Sequence, residues 1–135
     1  KAAFLELEYD AEENFDGRWN PVGGNGWEPQ VKQDVTQDFV GVELQGDEPE
    51  ALADLWGRCT DLPVEHDAAG NPTIAFNNVV LRFTAVVDGR GPGLGGLDIA
   101  VANREHILRE ARARNAYVSD DQVNICGTRW YLKDA

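Results

Sequence analysis

From Phe39 to Leu132 the hydrophobic and polar positions pass through the same series of periods twice. Val40, Val42 and Leu44 alternate with Gly41, Glu43 and Gln45, the period-two pattern of a strand with one apolar and one polar face. Asp47 follows as an N-cap with Glu50 three residues on, a capping-box arrangement, and Pro49 suits a first helical turn. Leu52, Leu55, Trp56 and Cys59 then fall at helical spacing and predict a buried stripe, ending at Asp61–Pro63. A short strand begins at Val64, and residues 67–72 (DAAGNP) form a turn. Strands over Thr73–Phe76 and Val79–Val86 flank Asn77-Asn78, a pair suited to the positive φ angles of a type I′ hairpin.

The second passage repeats the plan. Leu97, Ile99 and Val101 alternate with Gly96, Asp98 and Ala100. Asn103 is placed as an N-cap. Ile107, Leu108 and Ala111 form the stripe of a second helix, with Arg109, Arg112 and Arg114 outside it, toward the end where positive charge suits the helix dipole. Tyr117–Ser119 is a short strand, and Gln122–Ile125 and Thr128–Leu132 flank a Cys126-Gly127 turn. The Gly-rich stretch Asp88–Gly96 joins the two units. It carries no phosphate-loop lysine and leads into a strand, not a helix, which argues against a nucleotide loop.

The first 38 residues stand apart from the repeat. Lys1–Asp10 alternates as a half-buried strand. Residues 11–38 carry neither period and hold Trp19 and Trp27, expected to pin the segment to the surface. The division is therefore 1–38, an N-terminal strand and long loop expected as the remnant of a preceding domain, and 39–132, the repeat, with units 39–87 and 95–132.

Composition narrows the partners. With 24 acidic against 12 basic residues the net charge is −12, which opposes binding to nucleic-acid phosphates or anionic membrane surfaces. No apolar run approaches the length of a membrane span. Two cysteines, Cys59 and Cys126, make no disulfide framework or metal motif. Cys59 is expected as a buried thiol on the first helix and Cys126 as a partly exposed one. The expected compartment is reducing and cytoplasmic.

The segments GVELQGDEPEALADLW and GGLDIAVANREHILREARARNAYV, with the hairpins NNVVLRF and CGTRWYL, resemble the vicinal oxygen chelate superfamily of glyoxalases, bleomycin-resistance proteins and extradiol dioxygenases. The resemblance covers about Phe39 to Leu132 and implies an α+β fold. Two tandem βαβββ units would form an incomplete, cup-shaped mixed β-barrel with the helices outside. Val42, Leu44, Leu97 and Ile99 should then face helices, and Gly41, Glu43, Gln45, Gly96 and Asp98 the cavity.

Metal enzymes of that superfamily carry His, Gln or Glu ligands on the first and last strands of each unit. Matched to this sequence, those positions fall near Gly41, Gly96, Arg82 and Tyr131. Gly and Arg do not ligate an ordinary divalent ion. His66 and His106 lie elsewhere and are expected at the surface. Two residues inward on the first strands stand Glu43 and Asp98, whose carboxylates suit Mn, Mg or Fe. A Glu43–Arg82 charge pair is the more economical account, because a buried carboxylate needs a partner. Asp98 is left to pair with Arg129 or to accept from Tyr131. The ligand-binding residues expected in the cavity are thus Glu43, Arg82, Asp98, Arg129 and Tyr131, with no cofactor.

Two functions follow. The leading one is a glyoxalase-like domain with a degenerate metal site, binding a small polar or aromatic molecule, as drug-sequestering members of the superfamily do. A related version makes the unit a degenerate half of a longer two-domain protein. The alternative is a lyase, isomerase or dioxygenase using a divalent metal such as Mn, Fe, Ni or Zn. A homodimer or a second domain of the same kind would cover the edges of an incomplete barrel.

Overall fold

The computed structural model describes residue 26 and residues 28–135. The strand expected over Lys1–Asp10, and the anchors Trp19 and Trp27, lie outside the described residues. A 3-10 turn (Glu28–Gln30) leads into β1 (Thr36–Gly46), α1 (Pro49–Thr60), β2 (Glu65–His66), β3 (Pro72–Ala75) and β4 (Val80–Ala85). The series then repeats as β5 (Gly93–Val101), α2 (Arg104–Ala113), β6 (Tyr117–Ser119), β7 (Gln122–Ile125) and β8 (Thr128–Asp134). Both βαβββ units are present, and β1 starts at Thr36, inside the stretch read as loop.

One eight-stranded mixed sheet carries both units in the order β2-β3-β4-β1-β5-β8-β7-β6. In each unit the helix and the two short strands after it form the crossover between parallel strands, β1 with β4 and β5 with β8. The units meet where β1 and β5 pair antiparallel. That ladder slips register between Thr36 and Asp38, Phe39 and Gly41, and Glu43 and Leu44. Such irregularities add bend and twist, so the sheet curls into an open cup instead of lying flat.

Each unit has its own core. Leu44, Ala53, Ile74, Leu81 and Phe83 are buried together, with Val42, Leu52, Trp56 and Val64 packed against them. Ile99, Val101, Leu108, Ala111, Val123 and Leu132 form the second cluster, flanked by Ile107 and Trp130. Leu44 and Ile99 therefore face the helices, as the alternation requires, while Leu97 is half-buried and belongs to neither cluster. Among the described residues no helix is long and apolar enough to cross a membrane.

The first helix departs from its expected stripe. Its buried positions are Ala53 and Gly57, with Leu52 and Trp56 beside them, while Leu55 and Cys59 are exposed. A Cβ on Gly57 would lie 3.0 Å from Val64 Cγ2, so small residues let α1 sit close and turn its larger side chains aside. The expected buried thiol at Cys59 is thus corrected, and Cys126 is also exposed. The cap residue of α1 is Glu48, not Asp47, and no side-chain hydrogen bond closes that end. Asn103 caps α2 as expected, accepting from His106 N at 3.0 Å. Of the two tight hairpins, only Cys126-Gly127 has positive φ at both residues (52° and 79°), the type I′ geometry. Asn77 and Asn78 are not in that conformation, so the expected type I′ turn there is corrected.

Candidate functional site

Residues opposite one another in a ladder point to the same face, so the register alone assembles the centre of the cup. On the parallel pairs Glu43 stands opposite Arg82, Gly96 opposite Arg129 and Asp98 opposite Tyr131. Across the junction between units, Asp98 faces Gly41 and Glu43 faces Gly96. Both glycines clear space: a Cβ on Gly41 would lie 2.7 Å from Asp98 Oδ2, and one on Gly96 2.8 Å from Tyr131 Cε2. Each acid therefore lies across the junction over a position where no other side chain fits.

Glu43, Gln45 and Asp98 are buried, with 4%, 1% and 7% of their surface exposed. The Arg82 guanidinium lies between the two acids. Its Nε and Nη2 donate to Glu43 Oε2, each at 3.2 Å, and its Nη1 and Nη2 to Asp98 Oδ2 and Oδ1, each at 3.0 Å. Arg129 donates from Nε and Nη2 to Glu43 Oε1 at 3.0 and 2.6 Å, and Nη2 also reaches Gln45 Oε1 at 2.8 Å. The Tyr131 hydroxyl donates to Glu43 Oε2 at 3.0 Å. Two charged side chains of the first unit and two of the second are thus interlocked, along with a phenol.

The electrostatics follow from that packing. Burial works against the Arg82 charge, but the Asp98 and Glu43 carboxylates more than offset it, and its pKa is raised. Arg129 is raised in the same way, against burial, chiefly by Glu43. Burial pushes the Tyr131 phenol up, and the neighbouring Glu43 charge adds to the shift. Every strong charge in the centre is compensated, as a buried network requires.

The five residues expected in the cavity, Glu43, Arg82, Asp98, Arg129 and Tyr131, come together, and the Glu43–Arg82 pair forms. The partner of Asp98 differs from both expectations. It pairs with Arg82, while Arg129 and Tyr131 go to Glu43. The reason is geometric: Arg129 stands opposite Gly96, level with Glu43 across the junction, whereas the Asp98 side chain lies over the bare backbone of Gly41, within reach of Arg82 on the next strand. His66 is exposed and bonds Glu50, and His106 is on α2 beside Arg109; neither reaches the centre.

Sequence reasoning passed over Asp88 and Arg90 of the inter-unit segment; it turned Gln45 toward the cavity but did not count it among the ligand-binding residues. Asp88 accepts from Arg129 Nη1 at 2.5 Å and from Gln45 Nε2 at 2.9 Å. Hydrogen bonds, first from the Arg90 guanidinium and then from Gln45, hold its carboxyl well below the usual carboxylate range. A loop aspartate carries no periodic signal, and only the Asp-Gly-Arg spacing hinted at a local pair. Lys133, 3.8 Å from Asp98 Oδ2, completes the rim.

These residues do not fit a divalent metal. A cation chelated by Glu43 and Asp98 would have to share the space that the Arg82 guanidinium fills, and that fixed positive charge repels it. Among the described residues no cluster of three His, Cys, Asp or Glu side chains offers an alternative.

No family model and no curated protein matches the chain. Solved structures do. The chain is similar to methylmalonyl-CoA epimerase from Mycobacterium tuberculosis at 12% identity and a TM-score of 0.54, covering 76% of this chain and 90% of that one. A hypothetical protein from Bacillus halodurans C-125 aligns at 9% identity and 0.52, over 73% and 94% of the two chains. A hypothetical protein from Staphylococcus aureus aligns at 10% and 0.53; 81% of this chain is matched, spanning 37% of that longer one. The paired βαβββ units and these neighbours together give the chain a vicinal oxygen chelate-type fold.

Proposed function

We propose that this is a metal-independent binding domain of vicinal oxygen chelate-type fold, taking a small polar or aromatic molecule on the concave face of its sheet. The observation that carries this reading is the Arg82 guanidinium, hydrogen-bonded to both Glu43 and Asp98 where a metal enzyme of this fold would keep ligands free. A lyase, isomerase or dioxygenase that depends on a divalent ion is disfavoured by the same contact.

The surroundings of the lock suit a polar or aromatic molecule. The ladder puts Thr73 beside Arg82, Thr84 beside Gln45 and Gln122 beside Tyr131, all on the concave face. The Thr84 hydroxyl is buried without a hydrogen-bond partner among the described residues. Tyr131 adds a ring with Arg82 stacked 5.1 Å from its centroid. Sites of this kind combine a few convergent polar groups with aromatic surface.

Nitrogen-15 NMR titration with a panel of small polar and aromatic molecules tests the proposal. Shifts should gather at Thr73, Arg82, Thr84, Gln122 and Tyr131, and weaken in Tyr131→Leu. Shifts confined to α1 and α2, or binding indifferent to both Tyr131→Leu and Thr84→Val, would overturn it.

A further inference from the structure

We infer that the Asp88 carboxylate is a built-in occupant of an anion site on the concave face, and that the ligand taken there is a small carboxylate that exchanges with it. This rests on the concave face being the binding face, and it adds the ligand class and a means of control.

Asp88 begins a short strap between the units, the stretch 88–92, in which Gly89 and Gly91 have positive φ (73° and 84°), as has Gly93 where β5 begins (152°). Side chains hold the strap to the cup. Gln45 Nε2 donates to Asp88 Oδ1 at 2.9 Å and to Gly91 O at 2.7 Å, and Arg129 Nη1 donates to Asp88 Oδ2 at 2.5 Å. Arg90 adds its backbone N–H to Oδ1 at 3.0 Å and its Nε and Nη2 to Oδ2 at 2.9 and 2.6 Å. Three of these six hydrogen bonds tie the strap to the cup and three lie within it, and five of the six converge on one carboxylate.

The donors on the cup are fixed whether or not Asp88 is present. Gln45 is 1% exposed, and its Oε1 is held by Arg129 Nη2. Arg129 is anchored by Glu43 through two further bonds. The unpartnered Thr84 hydroxyl stands opposite Gln45 in the ladder and offers one more polar contact beside them. Planar, pre-aimed donors of this kind recognise a carboxylate.

Charge balance makes the step an exchange. Within the part-buried network Glu43, Asp88 and Asp98 are matched by Arg82, Arg90 and Arg129, with the solvent-exposed Lys133 outside it on the rim. A second anion added beside Asp88 would leave a surplus negative charge in a part-buried network. One that replaces Asp88 preserves the balance, because Arg90 also bonds Gly95 O on β5 and has its own tie to the cup. The glycines give the strap the backbone freedom to lift.

Calorimetric titration of the full chain with benzoate, and with benzamide as its uncharged counterpart, is the test. Asp88→Ala should bind benzoate about ten-fold more tightly than the unaltered chain, benzamide should gain nothing, and the Gln45 side-chain amide signal should shift. Asp88→Asn, which keeps the shape, should gain in the same direction but less. Adding Arg129→Lys to Asp88→Ala should abolish the gain. Benzoate affinity within about two-fold of the unaltered chain in both Asp88 variants overturns the inference, as does an equal gain for benzamide or one that survives Arg129→Lys. If neutral molecules still shift the concave face, the strap account falls alone. If nothing binds there in any variant, the binding reading falls with it.

Discussion

The two units share a backbone plan and solve its local problems with different chemistry. On β1 and β4 the matched pair is Glu43 and Arg82; on β5 and β8 it is Asp98 and Tyr131. The first unit thus supplies a cation that the second lacks at the same place, and Arg82 serves the acids of both. The second unit returns the contact through Arg129, one alternation earlier on β8, which serves the Glu43 of the first. Each unit brings one carboxylate and one guanidinium, and both guanidinium groups reach across the junction to the other unit's acid. The buried hydrophobic clusters of the two units are separate, and the β1–β5 ladder, this exchange of charges and the Phe39–Trp130 ring contact join them.

Breaking the asymmetric pair should have the largest effect. Arg82→Ala leaves two buried carboxylates short of a partner and should lower unfolding stability by about 3 kcal/mol in a denaturant titration. Its counterpart, Tyr131→Phe, removes one donor from a Glu43 that both arginines still hold. It should lower stability by about 1 kcal/mol. Equal losses would mean that the two positions do equivalent work, contrary to the account.

The glycines sharpen the comparison one step down. On Gly96 a Cβ meets the Arg129 carbonyl at 2.9 Å as well as the Tyr131 ring, and a ladder carbonyl is poorly placed to move. On Gly41 the three nearest atoms all belong to the Asp98 side chain. Gly96→Ala should therefore lower stability by about 2 kcal/mol, read from thermal melts, and Gly41→Ala by less. A reversed order would mean that the Arg82–Asp98 pairing is the more rigid wall.

The helix caps give the smallest effect, with opposite signs. Asn103→Ala removes a working cap and should lower stability by about 1 kcal/mol. Glu48→Ser supplies a cap where none closes the helix and should raise stability by about 0.5 kcal/mol. Measured in the same denaturant series, a loss in both would mean that Glu48 stabilises α1 in some other way.

How much of this was legible follows from where each signal comes from. Period-two alternation along β1 and β5 put Glu43 and Asp98 on one face with Arg82 and Tyr131, because face and register are written in the strands themselves. The choice between Arg82 and Arg129 for Asp98 was not written there. It depends on the Asp98 side chain lying over Gly41 across the β1–β5 junction, where Arg82 meets it, a contact between residues far apart in sequence. The Asp88 strap was hidden for the same reason, since a loop carboxylate finds its donors only once the cup exists. On α1, helical spacing marked Leu55 and Cys59 as buried, but the close approach at Gly57 turned the helix so that Ala53 and Gly57 form the seam. The Asn-Asn pair shows the limit of turn propensity. It permits positive φ angles that the first hairpin does not use, whereas Cys-Gly adopts them in the second.

The central claim is that the Arg82 guanidinium, held between Glu43 and Asp98, fills the space a divalent ion bound by those carboxylates would need. Elemental analysis tests it most directly, after incubation with Mn, Fe, Ni and Zn salts and desalting. The account predicts no near-stoichiometric retention of any of the four. One equivalent retained by the unaltered chain and lost in Glu43→Gln would contradict it.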